Sequence, residues 1–249
     1  DPWDSAEVRA RDASLRGLVG DTGQERHGSM RGAGRGIMTN AASVFSPVMC
    51  GTLLRVYGPE GGSLLDPFAG GGTRAVMAAA RGLEYVGVEL RGSEADRVGS
   101  VLSTIEMPGT ARIIKGDSTD VSGPAVRTVM SGRPYGGLLT CPPYYDLERY
   151  GGGPRDLSML GTYDEFLGRL GVVMKWTHDA LAPGARAVWV VGNFLDLKRD
   201  EIVDLRGDVI GLARAHSWAL HDIVVLAGKL GTAGQRVGNS LRSHRLVRV

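Results

Sequence analysis

The chain holds only two cysteines in 249 residues, and Cys50 and Cys141 lie far apart with no C-x-x-C spacing. That disfavours a disulfide framework or a cysteine zinc site and makes a reducing, cytoplasmic setting the expectation. The five histidines also lack metal-ligand spacing, so no metal is expected. Long apolar runs are missing too. The apolar runs, such as residues 188–191 and 223–227, stop far short of the roughly 20 residues that a bilayer-spanning helix needs, and no membrane partner is expected. A strong charge excess is absent as well: the net charge is +2, which permits nucleic-acid binding without arguing for it. No internal repeat is visible.

What is there fits one α/β domain with a sizeable core. Hydrophobic residues make up 43% of the chain and charged residues 22%, the balance of an ordinary globular protein. Residues 1–40 are rich in Arg, Gly, Asp and Ser and read as a flexible arm, leaving 41–249 for the folded domain. The sequence starts at Asp1 and stops at Val249 within a strand-like run, as expected of a trimmed form of a longer chain. From Ser63 onward short apolar runs alternate with helical patterns. The pattern predicts strands at 64–65, 85–90, 111–116, 137–140, 185–191 and 220–227 and near Leu246. It places helices over 73–81, 93–105, 121–130, 163–181 and 202–215. This alternation predicts a doubly wound, mostly parallel sheet of seven strands.

A glycine-rich turn, Asp66-Pro-Phe-Ala-Gly-Gly-Gly-Thr73, falls directly between the first strand and the first helix of this series. Glycine allows close backbone approach to a ligand, and a helix start offers unpaired N–H groups. The next strand ends at Glu89, where doubly wound folds place a carboxylate for ribose hydroxyls. A nicotinamide dinucleotide would want G-x-G-x-x-G, which this loop lacks. The whole string resembles the D-P-F-x-G-x-G-T motif of the DNA amino-methyltransferases, which bind S-adenosylmethionine (AdoMet). That resemblance implies a Rossmann-like class I methyltransferase fold. It implies that Asp66, Pro67, Phe68, Ala69, Gly70, Gly72 and Thr73 surround the methionine part, that Glu89 holds the ribose and that Asp117 meets the adenine amino group. Ser43-Val-Phe-Ser-Pro47 resembles the F-x-P element of the same family, which puts Phe45 and Pro47 over the methionine tail.

After the fourth strand comes Cys141-Pro142-Pro143-Tyr144. Neither proline can donate a ladder hydrogen bond, so the sheet must end there, and active sites of doubly wound sheets gather at such carboxyl ends. The segment resembles the family's catalytic tetrad: Asp, Asn or Ser, then Pro-Pro and an aromatic residue. An amino group on a base shares its lone pair with the ring and attacks poorly until acceptors draw on its hydrogens. By the resemblance those acceptors are Cys141 and the Pro142 carbonyl, while Tyr144 stacks on a base taken out of the duplex. A thiol is a weak acceptor, so Cys141 departs from the common pattern. Its likeness in shape to serine tilts the expected target toward N4 of cytosine over N6 of adenine. A covalent role for Cys141, as in C5-cytosine methyltransferases, would want cysteine after a proline; here it precedes the pair.

Cys-Pro-Pro-Tyr-Tyr-Asp-Leu-Glu followed by Pro154-Arg-Asp-Leu-Ser158 resembles phage-type and mobile-element methyltransferases in particular. Tyr145, Arg155 and Asp156 then become candidate substrate contacts. The Gly- and Arg-rich stretch 229–245 offers Arg236, Arg242, His244 and Arg245 for phosphates. Little chain separates Asp117 from Cys141, so no recognition domain fits between them. A short recognition site, a targeting protein or a homodimer is the expectation, with DNA as partner. Methyl transfer to RNA or a protein amide, or a non-catalytic partner role, remains open at this point.

Overall fold

A computed structural model describes residues 45–132, 134–145, 150–196 and 201–225. They fall in two units, one ending at Trp218 and one starting at Ala219. In the first, helix α1 (Pro47–Tyr57) precedes β1 (Ser63–Asp66), α2 (Thr73–Ala79), β2 (Glu84–Glu89), α3 (Gly92–Ser103), β3 (Thr110–Lys115), α4 (Pro124–Met130) and β4 (Tyr135–Thr140). Two 3-10 turns at Gly153–Arg155 and Leu157–Met159 lead to α5 (Tyr163–Ala180), β5 (Leu181–Trp189), β6 (Phe194–Asp196), β7 (Glu201–Val203) and α6 (Leu205–Ala215). No helix among the described residues is long and apolar enough to cross a membrane.

The five longer strands form one parallel sheet in the order β3-β2-β1-β4-β5. The order reverses between β1 and β4, which sets the crevice of a doubly wound fold above their carboxyl ends. Strand residues alternate between the faces with period two. Leu65, Val86, Val88 and Leu138 pack with Val126 and Val129 of α4 and Val173 and Trp176 of α5. Their neighbours Leu64, Tyr85 and Leu139 pack on the opposite face with Cys50, Leu53 and Leu54 of α1 and Ala75 and Ala78 of α2. Both faces are therefore dry, as a parallel sheet requires. A third cluster lies beyond the sheet, where Phe166, Leu170 and Met174 of α5 meet Leu157, Phe194, Leu205 and Val209.

Local signals explain the helix starts. Ser46 caps α1 by accepting from Met49 N at 3.4 Å, with Pro47 in the first turn. Thr162 caps α5 by accepting from Glu165 N at 3.2 Å, and Asp164 and Glu165 place negative charge in its first turn.

The expected seven-stranded sheet is corrected. Among the described residues five strands make the parallel sheet, and β6 and β7 form a separate antiparallel pair. β7 takes up Ile202, where the helix was expected to begin; that helix starts at Leu205 instead. Leu220–Val225, expected as strand, carries no helix or strand, and its apolar side chains Leu220, Ile223, Val224 and Val225 are exposed. The strand expected near Leu246, the arm at 1–40 and the domain boundary after it lie outside the described residues.

Leu65 sits at the centre of the sheet with no exposed surface. Leu65→Ala should cost about 2–5 kcal/mol, read as a lowered midpoint in urea unfolding with an unchanged slope; a loss below about 1 kcal/mol would contradict the packing described.

Candidate active site

The carboxyl ends of β1, β2 and β4 bring the sequence candidates together around one buried carboxylate. Asp66, the last residue of β1, has no exposed surface. Its Oδ1 accepts from Phe68 N at 3.0 Å and from the Thr140 hydroxyl at 2.7 Å. Its Oδ2 accepts from Arg74 Nε at 2.6 Å and from the Tyr85 hydroxyl at 2.7 Å. Four donors use the acceptor positions of a carboxylate. Asp66 was expected beside the methionine part, and its carboxylate is turned inward onto protein groups.

Arg74 is the largest feature that the sequence reading missed. It stands in the first turn of α2, where the helix dipole disfavours positive charge, and only 5% of it is exposed. Besides Asp66 it donates through Nη2 to the carbonyls of Phe68 at 2.5 Å and Ala69 at 3.4 Å. The Phe45 ring lies against the guanidinium, 4.7 Å from centroid to Cζ. Burial opposes this charge, but the Asp66 carboxylate paired with it overrides burial and holds the guanidinium charged well above its ordinary range. Burial, with Asp66 beside it, pushes the Tyr85 phenol well up, so it remains a donor. Burial likewise pushes the Cys50 thiol up to about 12, which leaves that cysteine a packing residue in α1.

Above this base the glycine loop has the form a nucleotide-like ligand needs. Gly70 and Gly72 have φ of +56° and +88°, a region that side chains avoid. A Cβ on Gly72 would strike Val98 Cγ1 of α3 at 2.6 Å, whereas one on Gly70 would meet nothing nearer than the Phe68 carbonyl oxygen at 3.9 Å. One side of the loop is packed and the other is open. Thr73 Oγ1 is buried without a hydrogen-bond partner, the one such side-chain atom among the described residues. An unmet buried hydroxyl beside an open loop calls for a polar ligand. Pro67 is tied down through its carbonyl, which accepts from Ser118 Oγ at 2.6 Å, while Trp176 Nε1 donates to Ser118 O at 2.8 Å.

The two acidic candidates stand on neighbouring strand ends. Glu89, 7% exposed, accepts from Gly70 N at 2.9 Å through Oε2, and from Arg91 N at 2.9 Å and Arg91 Nε at 3.0 Å through Oε1. Asp117, after β3, is 8% exposed and accepts from Thr119 N and Oγ1 at 2.8 and 2.7 Å, both on Oδ1. Its Oδ2 makes neither of these bonds. No group of three or more His, Cys, Asp or Glu placed to hold a metal occurs among the described residues.

The tetrad follows β4 directly. Thr140 is fully buried and gives its hydroxyl to Asp66, so the catalytic candidates start one residue from the hub of the glycine loop. Cys141 Sγ lies 3.5 Å from the Tyr144 hydroxyl; Pro142 is buried and Pro143 half-buried. Tyr145 has φ +32°, an uncommon conformation for a bulky residue. Its ring is held edge-on to Tyr163 at 5.5 Å and tilted against Phe166 at 5.8 Å. The Tyr163 hydroxyl donates to Asp208 Oδ2 at 2.7 Å, which anchors that aromatic group to α6.

Two expected substrate contacts part company. Arg155 is exposed. Asp156 is 3% exposed and accepts from Ser158 N at 2.9 Å, Ser158 Oγ at 2.7 Å and Gly152 N at 2.9 Å. It organises its own loop through these bonds. Arg236, Arg242, His244 and Arg245 lie outside the described residues.

No family model and no curated protein sequence matches the chain. Among solved structures it is similar to a methyltransferase from Pyrococcus furiosus, at 15% identity and a TM-score of 0.52, over 90% of this chain and 94% of that one. It is also similar to TrmN from Thermus thermophilus, at 17% identity and a TM-score of 0.46 over 69% of this chain, and spans 41% of that protein's length. An O-methyltransferase of a trans-AT PKS multienzyme of Brevibacillus brevis, in complex with S-adenosyl-L-homocysteine, is similar at 11% identity and a TM-score of 0.44, over 68% of this chain and 50% of that one. The fold is that of the Rossmann-like class I methyltransferases.

Arg74→Met should remove about 3–5 kcal/mol of stability, because it strands the buried Asp66 charge. Arg74→Met combined with Asp66→Asn should recover part of that loss. Equal unfolding midpoints for wild type and the single variant would show that the pair does not hold the loop.

Proposed function

We propose that this chain transfers the methyl group of AdoMet to the exocyclic amino nitrogen of a DNA base, N4 of cytosine ahead of N6 of adenine. The observation that carries this reading is the seating of the Cys141–Tyr144 tetrad at the switch point of the sheet, joined to the glycine loop through Thr140 and Asp66. A loop that fits AdoMet and a tetrad that fits an amino group then share one rigid base.

AdoMet supplies a methyl group on a sulfonium. The open side of Gly70 and the unmet Thr73 hydroxyl suit its methionine end, Glu89 its ribose hydroxyls, and Asp117 Oδ2 its adenine amino group. Phe45 and Pro47 stand on the side of the loop covered by α1. Cys141 and the Pro142 carbonyl draw on the amino hydrogens and turn the nitrogen lone pair toward the methyl. With AdoMet bound, the N–C bond would form as the S–C bond breaks, leaving S-adenosylhomocysteine, and the nitrogen would pass one proton to solvent to return to a neutral amine. Alignment supplies most of the acceleration, because the nitrogen need not lose its proton before attack. Tyr144 stacks on the extruded base, and its hydroxyl, next to Cys141 Sγ, keeps the ring in register with the acceptor. Tyr145, the next residue, is held by Tyr163 and Phe166 of α5. DNA is favoured over RNA by the Cys-Pro-Pro-Tyr-Tyr and Pro154–Ser158 resemblance, with phosphate contacts assigned to Arg155, Arg236 and Arg242.

Incubation with labelled AdoMet and separate pools of duplex DNA, single-stranded DNA and RNA, followed by digestion and mass analysis, tests the reading. N4-methylcytosine or N6-methyladenine from DNA is the expected product. Label in RNA alone would move the substrate, and label in no pool despite AdoMet binding would remove the nucleic-acid reading. Tyr144→Ala should lower kcat by about 100-fold or more, the scale of a lost positioning group, while AdoMet affinity stays within about twofold. Parallel loss of both would break the division between cofactor loop and tetrad.

A further inference from the structure

The segment that follows the tetrad comes back to the ribose end of the crevice, and the residue it meets there is Arg91. Arg91 caps the start of α3, two residues beyond Glu89. Its backbone N–H and Nε both bond Glu89 Oε1, and its side chain is 24% exposed. The Tyr150 ring lies on the other side of the guanidinium, 5.8 Å from its centroid to Cζ. That distance is within the range of a cation–π contact.

Tyr150 is held in turn by the loop that Asp156 organises. Its N–H donates to Ser158 Oγ at 3.3 Å, and Ser158, 2% exposed, donates on to Asp156 Oδ1. Gly152 N is bound to Asp156 Oδ2, and a Cβ on Gly152 would lie 2.8 Å from Leu90 Cδ2. The backbone of this loop therefore rests directly on the residue between Glu89 and Arg91.

We propose that Arg91 is a positioning residue for the cofactor's ribose, and that Tyr150 and the Asp156 loop hold it there. With two bonds, Arg91 fixes the Glu89 carboxylate by its Oε1. Gly70 N takes one position on Oε2, which leaves the other for a ribose hydroxyl. The side chain that presents the ribose acceptor is thus set by a contact from the substrate side of the crevice. This assignment rests on the AdoMet reading above.

The test is AdoMet titration by calorimetry on the full chain, with 5′-methylthioadenosine as a second probe that keeps the ribose and lacks the amino acid. Arg91→Ala should weaken both ligands by about tenfold or more, as the loss of a charge-assisted bond would, and Arg91→Lys should restore part of it. In a Glu89→Gln background Arg91→Ala should add less than about twofold, since its effect passes through Glu89. Tyr150→Leu should raise the AdoMet KM several-fold with kcat nearly unchanged, and Tyr150→Phe should not. Thermal unfolding of each variant separates loss of the fold from loss of the contact. If wild type binds neither ligand, the AdoMet reading itself fails. If wild type binds and folded Arg91→Ala binds equally well, or if its effect is undiminished beside Glu89→Gln, the role given to Arg91 is wrong.

Discussion

The Asp66 carboxylate is the constraint on which the crevice depends. A charge with no exposed surface is tolerable only when it is paired and its lone pairs are met, and Asp66 meets that demand by drawing on four separate pieces of the chain. Phe68 N comes from the glycine loop, Arg74 from α2, the Tyr85 hydroxyl from β2 and the Thr140 hydroxyl from β4. None of these can move far without leaving a buried polar group unmet. The same ion pair explains an arginine in the first turn of a helix: the local dipole is against it, and a full opposite charge at 2.6 Å outweighs half a charge at the helix end.

Rigidity below and openness above follow from that base. Arg74 holds the Phe68 and Ala69 carbonyls inward, and Gly70 N is tied to Glu89. Val98 closes the far side at Gly72. The aromatic group of Tyr145, Tyr163, Phe166 and Phe194 performs a like service for the tetrad, locking a strained Tyr145 from outside the sheet. Both halves of the crevice are thus set by contacts behind the surface that faces a ligand.

Much of this was legible in the sequence, and the parts that were not have common physical causes. The glycine loop, the acidic strand ends and the tetrad are local strings whose backbone requirements show in composition, and the structure puts them on adjacent strand ends as the doubly wound pattern implies. Helix limits differ by a few residues because the last turns lack packing. Helix α1 went unread as a helix: Gly51 and Thr52 interrupt its pattern, and Ser46-Pro47, a capped start with proline in the first turn, was the available signal. The pair β6 and β7 has three residues per strand, too short for period two to register. Arg74 was invisible because arginine early in a helix ordinarily reaches water, and the hydroxyls that complete its partner Asp66, those of Tyr85 and Thr140, lie 19 and 74 positions from that carboxylate. Asp156 was read as a candidate substrate contact because sequence shows the carboxylate and not the two N–H groups that close around it.

The Thr140 to Asp66 bond joins residues 74 positions apart, and this gives the chain an order of assembly. A nascent chain that has emerged through β3 already carries the whole glycine loop, its acidic strand end and the buried arginine. It lacks the last donor that Asp66 requires and the strand that pairs with β1 on its other side. Until β4 arrives, the half-built crevice has one unmet acceptor position at its floor and no tetrad. The final bond in the floor and the first residue of the candidate tetrad come from the ribosome one after the other, so the two halves of the crevice are completed together.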